Sequence, residues 1–455
     1  MKTTRIITLA ALLFASLGLF ALNASAASYT WANQATGGDW NTATNWTPNG
    51  VPNADDADVS VTTTTSGQNI YLGNGTTTVR NLSATTNGGT NLTFSSPNTE
   101  GSATLAITGT LTKNNGSSSI NFADDNTGRY LNLTINRLNF NTNGNFYFGR
   151  NDGGRRINSL AISTLDMGNN NSGSPTSILA FNATQNYSLG AVTFSGSNTK
   201  NVYLINNNST GYSRTATIKS LTQTSGTAAT IYGSQRAGSS GSNAAMLKID
   251  TDAATAFTAT TILADGTGGT LALLKTGAGK QTLTGVLTHT GGTQVDAGTL
   301  VITGSLAATG DLTVAKDATF VAGAALTLND AAFASGAVLG LDLGANAKLN
   351  LSGDLTQSGS GEATFVIDFQ STGILDQTYT HLLSVAGANA FAGATLTYKN
   401  FGTQNLSGTL SMNELIGNFI VTSGAIPEPA AWVLLLGAGV FSFAALRRYL
   451  YRGLM

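Results

Sequence analysis

Three groups of side chains in this sequence could do chemistry. Arg150, Asp152, Arg155 and Arg156 crowd a carboxylate among guanidinium groups within GRNDGGRRIN, an arrangement that suits polysaccharide cleavage if exposed and a solvated loop otherwise. Asp55, Asp56 and Asp58 could offer oxygen ligands to calcium, but Asp in a turn also caps it, and no complete calcium loop follows. Trp31, Trp40 and Trp46 fall within 16 residues. Indole rings stack on sugar faces when exposed and close off a core when buried.

The missing chemistry narrows the field further. With no Cys and only His289 and His381, the chain has no thiol nucleophile, no disulfide and no His-rich metal site, and a Ser-His-Asp triad would depend on one of those two histidines. Phosphate-loop, dinucleotide, HExxH and nucleophile-elbow motifs are absent, and Gly277-Ala278-Gly279-Lys280 lacks the spacing of a phosphate loop. No catalytic, cofactor-binding or metal residue is therefore assigned. Two acids brought together from distant positions would still suffice for glycoside hydrolysis.

The elements that would position these groups are strands. Only 10% of the residues are charged, 41% are hydrophobic and 54 are Gly, a composition that suits neither disorder nor long helices. Five of the 22 basic residues, Lys2, Arg5, Arg447, Arg448 and Arg452, lie near the termini, leaving 17 bases against 22 acids between residues 27 and 426. That mildly acidic interior disfavours nucleic acid as a partner. Strand signals recur at Val59 to Thr63, Asn91 to Phe94, Ala103 to Ile107, Leu131 to Ile135, Phe146 to Phe148 and Ala191 to Phe194. From about residue 250 Asn and Ser give way to Ala, Gly, Thr and Leu. Shorter strands follow at Gln281 to Leu283, Thr293 to Val295, Thr299 to Ile302, Asp311 to Val314, Thr319 to Val321, Ala325 to Leu328, Val338 to Leu343, Lys348 to Leu351 and Thr364 to Phe369.

Strands of three to five residues with Gly or Asn at the corners suit a solenoid that buries alternate Leu, Val, Ile and Phe. Stacked rungs tolerate hydroxyls and amides but not repeated like charges, which would explain the low charge. A β-sandwich is the structural rival. The segment Lys275 to Ile302, with Lys275-Thr276-Gly277-Ala278-Gly279, Leu283, Gly285, Thr290-Gly291-Gly292-Thr293, Val295 and Ala297-Gly298-Thr299-Leu300, resembles the autotransporter-associated β-strand repeat of bacterial surface proteins. The resemblance implies a right-handed parallel β-helix, with His289 as a rung side chain in place of the usual aromatic. The Trp-rich start is similar to that of β-helical surface proteins carrying the same repeat, and reads as a cap. A membrane β-barrel does not fit after residue 270.

The ends read as addresses. Lys2 and Arg5, the apolar run Ile6 to Leu22 and the Ala24-x-Ala26 pattern before Ala27 describe a signal peptide with signal peptidase acting after Ala26; an uncleaved anchor is the rival. Pro427-Glu428-Pro429, the apolar span 430–446 and Arg447-Arg448 occur in the order of the PEP-CTERM sorting signal of Gram-negative bacteria, with an ordinary membrane anchor as the generic reading. That resemblance implies an exosortase as processing partner, an inner-membrane intermediate held by residues 430–446, and association with exopolysaccharide.

The expected organisation is a signal peptide at 1–26, an Asn/Ser/Thr-rich β-helical region at 27–250, a Gly/Ala/Thr-rich β-helical region at 251–425 with the repeat at 274–302, and a sorting signal at 426–455. The expected function is a non-enzymatic structural or adhesive protein of the outer surface or extracellular matrix. The alternative is a β-helical polysaccharide lyase or glycoside hydrolase.

Overall fold

Alternation of apolar and polar residues along each strand decides how this chain folds. In Ala54–Thr63 every second residue from Ala57 onward is buried, and the same alternation runs through Gly75–Thr86 and Gly101–Asn114. Each strand therefore offers one apolar face and needs neighbours to cover it. The computed structural model describes residues 26–423 except 34–36, 66, 88–90, 98, 115–117, 125–127, 141–143, 150–155, 169–175, 207–210, 225, 236–242, 307–309, 363, 371–377, 395, 400–405 and 413–415. The chain divides into two units, one reaching Thr210 and including Thr224–Ala228, the other made of Gly211–Gln223 and Ala229 onward.

In the first unit the chain alternates between two parallel sheets. Long strands Ala54–Thr63, Gly75–Thr86, Gly101–Asn114, Arg129–Phe140, Ser159–Met167 and Tyr187–Phe194 stack in one. Gln68–Tyr71, Leu92–Ser95, Ile120–Ala123, Gly144–Phe148, Thr176–Phe181 and Thr199–Ile205 stack in the other. One long and one short strand make a coil. Val59, Leu82, Leu111, Leu138, Leu165 and Val192 pair in register from coil to coil and are all buried. Each such side chain contributes roughly 1.5–3 kcal/mol. On the second sheet Phe94, Phe122, Phe148 and Phe181 lie in register, with successive ring centroids 4.8, 5.8 and 5.4 Å apart and nearly parallel planes. Outward positions carry hydroxyls and amides in register, as in Thr76, Thr104, Asn132 and Ser159.

The long strands exceed the three to five residues expected. Register shifts between Val79 and Leu82 and between Ile135 and Arg137 let a strand bend and continue pairing instead of stopping at a corner.

The second unit begins with the same wide coil and then contracts. Ser213–Gln223, Asn243–Asp250 and Gly269–Thr276 are eight to eleven residues long, whereas Thr293–Val295, Leu312–Val314, Ala331–Ala334 and Leu355–Ser358 in the same sheet have three or four. Two further sheets, one parallel and one mixed, complete the narrow coils. One holds Ala256–Ala259, Lys280–Leu283, Thr299–Ile302, Thr319–Ala322, Val338–Leu341, Val366–Phe369 and Thr397–Lys399; the other includes Ala325–Leu328, Lys348–Leu351 and Thr378–Val385. The advance per coil falls from 26 residues at Ile249 to Lys275 to 19 at Val295 to Val314. Ladders of parallel strands set aside the sandwich, which is built from antiparallel sheets.

Antiparallel pairs occur at one end of two of the sheets. Trp46–Thr47 pairs with Ser28–Trp31, while Ile416–Ser423 pairs with Thr378–Val385 and with Leu406–Met412. Among the described residues the only helix is the 3-10 turn Ala43–Asn45, and none is long and apolar enough to cross a membrane. Residues 1–25 of the signal peptide, the span 430–446 and the motif residues Ala24, Pro427, Glu428, Pro429, Arg447 and Arg448 lie outside the described residues.

Like charges do stack, contrary to the sequence expectation. Asp311, Asp330 and Asp354 occupy the same corner of three successive coils, each just before the paired Leu312, Ala331 and Leu355. Repulsion is offset because each carboxylate engages the coil above. Asn329 Nδ2 donates to Asp311 Oδ1 at 3.0 Å, the Asp354 N–H to Asp330 Oδ1 at 2.6 Å, and the Ala388 N–H to Asp354 Oδ1 at 2.7 Å.

Candidate functional site

The groups singled out in the sequence do not converge. Trp31, Trp40 and Trp46 are buried and pack edge to face at 4.8 and 4.7 Å, so their rings are a cap and are closed to sugars. Asp58 is bound by the Arg80 guanidinium and by Asn81 Nδ2, and Arg80's hydrogen bonds hold its carboxyl below the usual value. No group of three metal-ligating side chains occurs among the described residues. Of the charged loop cluster, Arg150, Asp152 and Arg155 lie outside the described residues. Arg156 is half-buried, and its carbonyl accepts the Asp124 N–H at 2.6 Å. Asp124, which no motif marked, is pushed up to about 7 by burial, against the Leu131 N–H bond and the Arg156 charge. At the other end of the unit Ala26 is half-buried and Ala27 exposed, the Ala27 carbonyl accepting the Asp58 N–H at 2.8 Å. His381 stands at a left-handed φ of 57°.

Polar groups do converge around residues 265–313. Lys275 occupies an inward rung between Ile249 and Val295, and its side chain is fully buried. Its Nζ donates to the carbonyls of Thr276 at 2.5 Å, Gly277 at 2.8 Å and Ala297 at 3.3 Å. Burial lowers this ammonium to about 8, with the charge of Asp250 acting in the opposite sense. The corner it holds admits only Gly: Gly277 has φ +71°, and a Cβ on Gly298 would lie 2.3 Å from the Gly277 carbonyl oxygen. Gln281, also buried, accepts the Leu221 N–H through Oε1 and donates to the Leu221 carbonyl through Nε2.

His289 is the buried rung that its place in the pattern suggested. Its Nε2 lies 3.0 Å from Thr293 Oγ1, while Nδ1 has no partner. Burial lowers the imidazole to about 4, with the Asp265 charge opposing. The folded state thus takes up its proton later than the unfolded state as pH falls. Stability from this site is complete above about 6.5, declines between 6.5 and 4, and is flat below. His289→Phe is expected to remove on the order of 2–3 kcal/mol of that acid loss. Urea titrations of both proteins at pH 7 and pH 4 check this, and an unchanged difference between the two pH values would refute it.

Beside this rung the sheet steps down in width. Strand Thr293–Val295 covers only Leu273, Leu274 and Lys275 of the eight-residue strand Gly269–Thr276. The remaining edge meets the loop Thr290 to Gly292, whose Gly291 N–H donates to the Leu271 carbonyl at 2.9 Å while the Leu273 N–H donates to Gly292 at 3.0 Å. A half-open groove of about 290 Å³ results, lined by Met246, Ala272, Thr290, Gln294, Asp311 and Thr313 among others. Gly291 cannot be enlarged, since a Cβ would lie 2.6 Å from the Leu271 oxygen.

The rungs and corners built from Lys275, His289 and their glycines coincide with a known pattern. Residues 273–302 match the family model of the passenger-associated transport repeat, which spans one narrow coil and the start of the next. No curated protein and no solved structure matches the chain. The repeat implies an exported or surface protein, and with the parallel solenoid it suggests a passenger-like one.

Proposed function

We propose that this protein is a structural or adhesive component of a Gram-negative outer surface or extracellular matrix, associated with exopolysaccharide. The observation that supports it is the passenger-associated repeat at 273–302, folded as a coil of a parallel solenoid, together with outward ladders of Thr, Asn and Ser such as Thr76, Thr104, Asn132 and Ser159. Coils wound to the right, the hand taken by nearly all parallel crossovers, leave the outward strand faces within each unit available to a matrix. Signal peptidase acts after Ala26, and an exosortase acts at Pro427-Glu428-Pro429 once residues 430–446 hold the inner-membrane intermediate. Support for this route is the order of those segments in the sequence.

Mass spectrometry of the protein recovered outside the cell tests it. The expected termini are Ala27 and a residue near Pro427. Recovery with Arg447 to Met455 still attached would exclude the processing step, and exclusive recovery from the cytoplasm would exclude the whole reading. A carbohydrate-active enzyme finds less support. Glycoside hydrolysis needs two carboxyl groups across the substrate, and among the described residues lining the groove Asp311 is the only acid.

A further inference from the structure

We infer that the groove at the step between wide and narrow coils is a binding site for a neutral saccharide chain. The inference rests on the surface reading above and gives it a ligand class. The step supplies the space: outward positions of Asn243–Asp250 and Gly269–Thr276 run on past the point where Thr293–Val295 and Leu312–Val314 stop covering them. The space measures about 290 Å³, the room of one or two sugar rings.

Its lining is divided as a pyranose is divided. Met246 and Ala272, half-buried and in register on neighbouring strands, give an apolar wall for the C–H face of a ring. The same lining supplies acceptors for ring hydroxyls. Asp311 is exposed, and Asn329 Nδ2 and the Asp330 N–H both donate to its Oδ1, which leaves Oδ2 to accept. Gln294 spends Nε2 on Asp296 at 2.7 Å, which fixes the amide and leaves Oε1 to accept. Thr313 follows one coil above Gln294 in register and adds a hydroxyl.

Charge selects against acidic sugars. Asp311 lines the groove, Asp296 orients Gln294, and Asp265 binds the Thr290 N–H and hydroxyl at 2.9 and 2.7 Å. Lys248, two residues beyond Met246 on the same face, has Asp250 as an electrostatic neighbour. A carboxylated ring beside Asp311, with Asp265 and Asp296 behind the lining, would be opposed, whereas a neutral polyol meets acceptors matched to its donors.

Calorimetric titration of the full-length chain with laminaripentaose, cellopentaose and maltopentaose, and with pentagalacturonate as the acidic probe, tests the assignment. At least one neutral pentasaccharide is expected to bind, and pentagalacturonate to bind roughly tenfold more weakly or not at all. Gln294→Ala and Thr313→Arg, both at outward positions, should each weaken that binding at least about tenfold while leaving the thermal melt unchanged. Silence towards all three neutral probes, or equal binding by wild type and both variants, overturns the assignment. An exported chain that binds none of them removes the groove and leaves the surface reading; a cytoplasmic chain that binds removes the surface reading and leaves the groove.

Discussion

Lys275→Met is expected to destabilise the unit that follows Gly211 by about 2–4 kcal/mol, although it removes a charge from an apolar rung. A buried ion usually costs more to desolvate than its contacts return, so an apolar replacement of similar shape could have been neutral. The geometry decides otherwise. Three carbonyls, of Thr276, Gly277 and Ala297, converge on the ammonium, and two of them belong to the corner whose glycines admit no rearrangement. Methionine fills the rung between Ile249 and Val295 but removes that donor from the three oxygens, at about 1–3 kcal/mol for each left unsatisfied. Lys275→Ala should cost more, because it adds a cavity to the same loss.

The pH dependence separates this account from simple packing. The folded-state ammonium titrates near 8, below the ordinary lysine value of 10.5, so the unfolded chain holds its proton over that interval and the folded one does not. Stability therefore rises with pH between about 8 and 10.5 in the wild type, and this contribution is absent from Lys275→Met. The gap between the two should widen across that window. Because Trp31, Trp40 and Trp46 all sit in the first unit, the readout is hydrogen exchange at Gly269–Thr276 and Thr293–Val295. A variant as protected as the wild type at both pH 7 and pH 10 would show that the ammonium does not hold the corner.

The sequence made the rungs legible wherever alternation and turn residues were strong. Thr293–Val295, Thr299–Ile302, Ala325–Leu328 and Lys348–Leu351 stand where their patterns placed them, because short strands bounded by Gly or Asn leave little choice of register. Strand length in the first unit was not legible. Arg129–Phe140 shows Leu131 to Ile135 as the alternating run, then breaks phase at a bulge and resumes at Leu138. A broken phase looks like the end of a strand when no neighbour is in view.

The aromatic column was hidden for a related reason. Phe94, Phe122, Phe148 and Phe181 recur at unequal intervals because the loops between coils differ in length, so no fixed period marks them. Buried lysines were equally unmarked. Lys113 and Lys200 are enclosed and lowered to about 8 by burial, Lys200 donating to Asn198 Oδ1 at 2.6 Å, yet each stands in an ordinary alternating strand. The groove depends on the difference in length between two paired strands, which only the register reveals.

Trp40→Ala should cost the first unit about 3–5 kcal/mol, the range for removing a fully buried aromatic side chain. The end of a solenoid has no next coil to cover it, so whatever lies on its last rung sets the stability of that rung. Here the cover is interlocked. Trp40 lies 4.7 Å from Trp46 edge to face, and 6.4 Å from Phe94 at the head of the phenylalanine column. Its Nε1 donates to the Pro52 carbonyl at 3.0 Å, and its own carbonyl accepts Trp46 Nε1 at 2.7 Å. Truncation opens a cavity over Phe94, leaves Pro52 without that donor, and loosens Trp46. Trp40→Phe should recover much of the packing but not the indole hydrogen bond, and so fall between the two. Because each coil contacts chiefly its neighbours, the damage should be graded: amides of Gln68–Tyr71 and Leu92–Ser95 lose exchange protection, while those of Gly144–Phe148 retain it. Uniform loss along the column would mean that the unit unfolds as one body instead of fraying from its cap, and no loss anywhere would mean that the three indoles are not the cover their packing describes.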